Sequence, residues 1–153
     1  VHNPAFPEIH RRQFKHYFEQ IDRTKIWHEA KGRERKFPYF TYIGHMLDAK
    51  ICISPWGWGA WNIRDQEALL CGCILVKPAC SGMVTVPDIY DPAQGLAVFC
   101  SPDFKDLPDV VEKIMLNLSE YQEMVDRARK VLWEHLNMEQ VMHRWCTHLK
   151  AVL

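Results

Sequence analysis

The stretch that decides the fold runs Ile51-Cys52-Ile53-Ser54-Pro55-Trp56-Gly57-Trp58-Gly59-Ala60-Trp61-Asn62-Ile63-Arg64-Asp65-Gln66-Glu67-Ala68-Leu69-Leu70-Cys71-Gly72-Cys73-Ile74-Leu75-Val76. Ile51 to Ser54 is a compact apolar run, which reads as a buried strand. Pro55 cannot donate to a ladder and ends it. A helix is expected from Ile63 to Cys71, with Asn62 as its cap, Asp65 at the reciprocal position and Gly72 as the left-handed residue that stops it. Ile74-Leu75-Val76 is a second buried strand, stopped by Pro78. Strand, helix, strand in this order implies a parallel sheet covered on both faces.

Working outward, the same rhythm continues in both directions. Upstream, Ile9, Phe14, Tyr17, Phe18 and Ile21 recur at helical spacing, so a helix is expected over Glu8 to Ile21, with Pro7 acceptable in its first turn. Lys25 to Ala30 is a short strand candidate, Gly32 to Lys36 a charged loop, and Pro38 to Ala49 a second helix. Downstream, Leu96 to Phe99 is a further strand. Asp106 with Asp109, Ser119 with Gln122, and Asn137 with Gln140 each look like a helix start, which places three closing helices near 107–117, 120–135 and 138–151. The aromatic stripe Tyr121, Trp133 and Trp145 reads as helix packing. With no internal repeat and no linker, residues 1–153 are expected to form one α/β domain: a Rossmann-like three-layer α/β/α unit with a parallel sheet and a helical C-terminal region.

Bulk properties narrow the function classes. The chain carries 19 basic and 19 acidic residues, a formal net charge of zero. That balance argues against a protein that works by coating nucleic acid or an anionic membrane. No apolar run approaches the ~20 residues that span a bilayer. No charged-then-apolar leader opens the chain, and Val1 stands where a Met would begin it; the expectation is a processed or cut chain in the cytoplasm. Of the six cysteines, most fall in or beside apolar stretches, as free buried thiols do. Cys71-Gly72-Cys73 lacks the spacer and the second pair of a zinc site, so no metal and no cofactor are expected.

Open parallel sheets bind ligands at the carboxyl ends of their strands, which directs attention to the loops after Ala30, Ser54, Val76 and Cys100. In the Ser54–Asn62 loop, Gly57 and Gly59 remove side chains where a ligand would approach the backbone. The first amides of the following helix lack intrahelical partners and attract an anion such as a diphosphate. Arg64, in the first turn, can fork onto the same anion. Glu67, one turn on, can accept two hydroxyls of a ribose. Trp56, Trp58 and Trp61 offer flat surfaces for a base or sugar. A plainer account stands beside this one: a common glycine-rich turn, a surface Arg64–Glu67 ion pair, and packing tryptophans. His10-Arg11-Arg12 reads as a solvated basic turn or as a cleft-facing pair of arginines. Tyr39 and Tyr42 read as helix-packing aromatics or as ligand-stacking ones.

Glu67-Ala68-Leu69-Leu70-Cys71-Gly72-Cys73-Ile74-Leu75-Val76 resembles the Glu-Ala-x-x-x-Gly-x-x-x-Val stretch of GT-B fold glycosyltransferases. The run Lys50 to Pro78 is similar to their glycosyltransferase group 1 and exostosin-like branch, with a partial signature match at Val86-Pro87-Asp88-Ile89-Tyr90. The resemblance covers about positions 39–92 and implies the C-terminal, nucleotide-sugar-binding half of such an enzyme. It assigns Glu67 to the donor ribose, Arg64 to the diphosphate, Trp56, Gly57, Trp58 and Gly59 to the donor loop, and Lys77 to charge compensation. The expected ligand is a UDP- or GDP-sugar, with no metal and no nucleic acid. Departures occur at Gly59, Ala60 and Ala79-Cys80-Ser81-Gly82. The family's amino-terminal half, which carries the acceptor site, has no room in this chain and would come from elsewhere. An open sheet edge would leave unpaired strand groups through which two copies could pair. The alternatives are a non-catalytic nucleotide- or partner-binding module, and a response-regulator-like domain, for which no acidic cluster follows a first strand.

Overall fold

The computed structural model describes residues 6–22, 37–57 and 59–152. Within them, helix α1 spans Phe6–Phe18 and α2 Tyr39–Asp48; β1 is Ile51–Ile53, α3 Ile63–Cys71 and β2 Ile74–Pro78. Strand β3, Val98–Cys100, is followed by α4 Leu107–Leu116, α5 Gln122–Leu136 and α6 Met138–Val152. Single 3-10 turns occupy Pro92–Gln94 and Leu118–Tyr121. The expected strand Lys25 to Ala30, the charged loop Gly32 to Lys36 and Trp58 lie outside the described residues.

The three strands pair in parallel in the order β1-β2-β3, with Ile51 opposite Ile74 and Val76 opposite Val98. Side chains alternate across the central strand, and each face meets a different helix layer. Leu75 packs with Met46 of α2, Ala68 and Leu69 of α3, and Ala128 and Leu132 of α5. Ile74 and Val76 pack with Phe104, and with Leu107, Val111 and Ile114 of α4, while Phe14 and Phe18 of α1 close over them. The result is the expected α/β/α sandwich. Leu75 and Val76 are fully buried, each worth about 1.5–3 kcal/mol of apolar transfer.

Pro78 ends β2 as expected, although the strand runs two residues past Val76 and includes the proline. Ser54 N donates to Val76 O, so even-numbered residues of β2 direct their backbone polar groups toward β1. Pro78 therefore aims its missing donor past the last β1 pair, Ile53 with Val76, toward Ser54, whose carbonyl accepts from Lys77 Nζ. The Pro78 carbonyl accepts the Trp56 indole N–H at 3.3 Å.

Helices α4 and α6 start where expected, at Leu107 and Met138, but the side chains before them play different parts. Asp106 precedes α4, but its carboxylate turns back to accept Ser101 N at 2.7 Å and Ser101 Oγ at 2.6 Å. Ser119 lies in a 3-10 turn, and α5 begins only at Gln122. Asn137 does start α6: its Oδ1 accepts from Glu139 N at 2.9 Å. The buried stripe of α5 is Val125, Ala128 and Leu132, which turns the neighbouring Trp133 outward. Trp145 is likewise exposed, so of the expected aromatic stripe only Tyr121 packs against the core.

Gly72 ends α3 with φ +87°, as its position required. A Cβ there would meet only ordinary contacts, the nearest 3.8 Å away on Arg129, so the penalty of a side chain is the backbone conformation itself. Gly72→Ala should lower unfolding free energy by about 1–2 kcal/mol. Urea denaturation checks this as a lower midpoint at unchanged slope.

Candidate functional site

The carboxyl ends of β1 and β2 meet the amino end of α3 around one buried carboxylate. Asp65 is fully buried. It accepts Ser54 Oγ at 2.5 Å and Tyr90 Oη at 2.6 Å, and its Oδ2 lies 2.7 Å from Lys77 Nζ. Lys77 also donates to Ser54 O at 3.4 Å, and its ammonium lies 5.5 Å from the centre of the Tyr90 ring. Burial pulls the Lys77 ammonium below its ordinary value, and Asp65 opposes that pull. Burial and the bond to Asp65 push the Tyr90 hydroxyl well above the ordinary phenol range, so it remains a donor.

Asp65 therefore does not reach back to cap α3, and Asn62 does not cap it either. The Asn62 amide instead donates to Pro55 O at 3.1 Å and ties the loop across its base. A Cβ on Gly57 would stand 2.8 Å from Asn62 Oδ1, so a side chain there would displace the Asn62 amide. Gly59 has open space where its Cβ would be.

His10 completes the clamp from α1. Its ring stacks on Trp56 with centroids 4.6 Å apart and planes 8° from parallel. Its Nε2 accepts from Trp56 N at 3.0 Å. Burial, and then the Lys77 charge, lower the His10 pKa to about 4, so the ring is neutral at physiological pH. Arg11 and Arg12 are exposed, and Arg12 pairs with Glu8 one turn away, so the solvated-turn reading holds for the two arginines and not for His10.

On the outer face of α3, Arg64 is exposed and Glu67 half-buried. They form no ion pair with each other, which removes the plainer reading of that pair. Glu67 Oε2 accepts Tyr42 Oη at 2.9 Å and Oε1 accepts Tyr39 Oη at 3.4 Å. With no side-chain cap on α3, its first turn faces the loop with Arg64 beside it. The structure thus brings Trp56, Gly57, Gly59, Arg64 and Glu67 to one end of the sheet. Lys77 is there too, but behind the loop and 1% exposed.

The cysteines add no chemistry here. None of the six is in a disulfide. Burial pushes Cys52 up to about 11 and Cys73 and Cys100 up to about 12, which keeps these thiols protonated and poor nucleophiles. Among the described residues no group of three or more His, Cys, Asp or Glu could hold a metal ion, and no helix is long and apolar enough to cross a membrane.

The chain is 28% identical over 121 residues to a probable glucuronosyltransferase 47 A of Physcomitrium patens, a match covering 74% of this chain. It is 29% identical over 134 residues, 82% of its length, to the probable glucuronosyltransferase GUT1 of Oryza sativa subsp. japonica. A probable beta-1,4-xylosyltransferase IRX10L of Arabidopsis thaliana matches at 28% over the same share. At this low identity the chain is similar to proteins named as probable glycosyltransferases. It spans only 25–30% of the length of these relatives. No family model matches it, and no solved structure matches it significantly.

Sequence reasoning singled out Arg64, Glu67, Lys77 and the loop, but not the joining of Ser54, Asp65, Lys77 and Tyr90 into one buried network, nor the stacking of His10 on Trp56. One signal was present: a lysine in the middle of a buried strand demands a buried carboxylate. Two measurements test the clamp. Lys77→Met leaves Asp65 buried without its cation and should cost about 3–5 kcal/mol, whereas adding Asp65→Asn should recover part of that loss in a double-mutant cycle. For His10, the folded pKa lies below the unfolded value of 6.5, so the unfolded chain binds the extra proton between them. Stability from this group is complete above about pH 6.5 and is lost as pH falls toward 4, with a slope of about 1.4 kcal/mol per pH unit. Unfolding titrations over that window should show the slope in the wild type and not in His10→Phe.

Proposed function

We propose that this chain holds the nucleotide-diphosphate sugar donor of a glycosyltransferase at the turn between β1 and α3. The observation that carries the reading is the division of labour on α3: Asp65 turns inward and fixes the loop, while Arg64 and Glu67 stand outward beside an uncapped helix start. The similarity to glucuronosyl- and xylosyltransferases supplies the chemical class.

In this reading the donor diphosphate lies against the first amides of α3 and the Arg64 guanidinium. Glu67 accepts hydroxyls of the ribose. Gly59 borders the opening through which the donor enters. Trp56 and Gly57 serve by shaping the loop. Lys77 compensates charge from behind, since its ammonium is engaged by Asp65. As the sugar leaves, negative charge grows on the diphosphate, and donors already fixed in place stabilise it without reorganising. The acceptor would meet the sugar from a second half, supplied by a longer chain or a partner, as the much greater length of the relatives suggests.

Calorimetric titration with UDP, GDP and their sugar derivatives, glucuronate and xylose among them, tests this. At least one should bind. Arg64→Ala and Glu67→Ala should each weaken it by roughly tenfold or more, the value of one hydrogen bond to a charged group. A folded sample that binds none of these ligands would overturn the reading.

A further inference from the structure

The contact between α2 and α3 holds a feature that packing alone does not call for. Glu67 receives one tyrosine hydroxyl on each carboxylate oxygen, Tyr42 at 2.9 Å and Tyr39 at 3.4 Å. Both tyrosines come from the first turns of α2, and the acid comes from the second turn of α3. A carboxylate offers about four lone-pair positions. The two hydroxyls take one on each oxygen and leave one on each oxygen. A vicinal diol presents two donors with matching separation, and a sugar lacking one hydroxyl presents a single donor.

Tyr42 is the stronger of the two anchors. It is half-buried, whereas Tyr39 is 59% exposed. Burial, then the bond to Glu67 and its charge, raise the Tyr42 hydroxyl well above the ordinary phenol range, with Arg64 close enough to offset part of that rise. The hydroxyl therefore stays protonated and keeps donating. It also stands between the carboxylate assigned to the ribose and the guanidinium assigned to the diphosphate. A glutamate on a helix surface ordinarily samples several rotamers, and ordering it for a ligand costs entropy that Tyr42 removes in advance.

We infer that Tyr42 is a positioning residue that orients the Glu67 carboxylate to select nucleotides carrying an intact ribose diol, with Tyr39 as a weaker second anchor. This rests on the donor-site reading above. It makes the α2–α3 contact a specificity element.

The test is calorimetric titration with whichever of UDP and GDP binds, its 2′-deoxy counterpart, and inorganic pyrophosphate. The wild type should favour the ribonucleotide by roughly tenfold, as expected for one hydrogen bond to a charged acceptor. Tyr42→Phe should bring that ratio close to one while pyrophosphate binding is unchanged. Tyr39→Phe should lower the ratio less, and it carries the test if Tyr42→Phe does not fold. A ratio of one in the wild type, a ratio unchanged by the tyrosine variants, or an equal loss of pyrophosphate and nucleotide would each overturn the inference and leave the donor site standing. No binding of any nucleotide by folded wild type would remove both.

Discussion

The ion pair between Asp65 and Lys77 is the constraint on which the rest of this end of the molecule depends. A lysine in the central strand of a three-stranded sheet must bring its charge into a dry interior, and only a carboxylate at contact distance makes that tolerable. Asp65 supplies it from the first turn of α3. Because the remaining lone pairs of that carboxylate are also buried, they need donors of their own, and Ser54 and Tyr90 provide them. One buried charge thus ties together the end of β1, the start of α3, the end of β2 and the loop before β3.

The consequence is a loop with little freedom. Ser54 is held by its amide, its hydroxyl and its carbonyl; Pro55 by Asn62; Trp56 by His10 and by Pro78. Every one of these bonds points inward. What remains outward is the start of α3, Arg64 and Glu67. A ligand arriving there would find donors already placed, so the ordering cost has been met by folding. The tyrosines of α2 extend the same principle to Glu67. The side chains proposed to bind a donor are thus oriented by neighbours that themselves need not touch it.

Much of the architecture was legible in the chain. The strand-helix-strand unit around Ile51–Val76 follows from apolar runs of strand length, a helical repeat between them and a glycine at its end; α3 and the left-handed Gly72 appeared where those signals placed them. Helix α4 also began at Leu107 as expected, whereas α5 began two residues late, after a 3-10 turn that holds Ser119. Tertiary geometry nevertheless gives the Asp106 side chain another partner. Asp65 is the clearest instance. Its position, three residues after an asparagine, looks like half of a local capping pair, yet a buried lysine twelve residues on is a stronger partner than a backbone amide.

The sequence by itself determined the layer order, the parallel sheet, and the glycine-rich turn between β1 and α3, because these rest on periodicity and on glycine and proline, whose effects are local. Only the tertiary structure decided what each polar residue does. Lys77 looked like a ligand-facing charge and proved to be the buried partner of Asp65; His10 sat in a basic run and proved to be a neutral ring stacked on Trp56. Tyr39 and Tyr42 could equally have packed or stacked, and proved to hold Glu67. Side-chain hydrogen bonds link residues 11 to 46 positions apart in these cases. Which partner a polar group meets at that range depends on how the helices dock, and docking is set by the whole core at once.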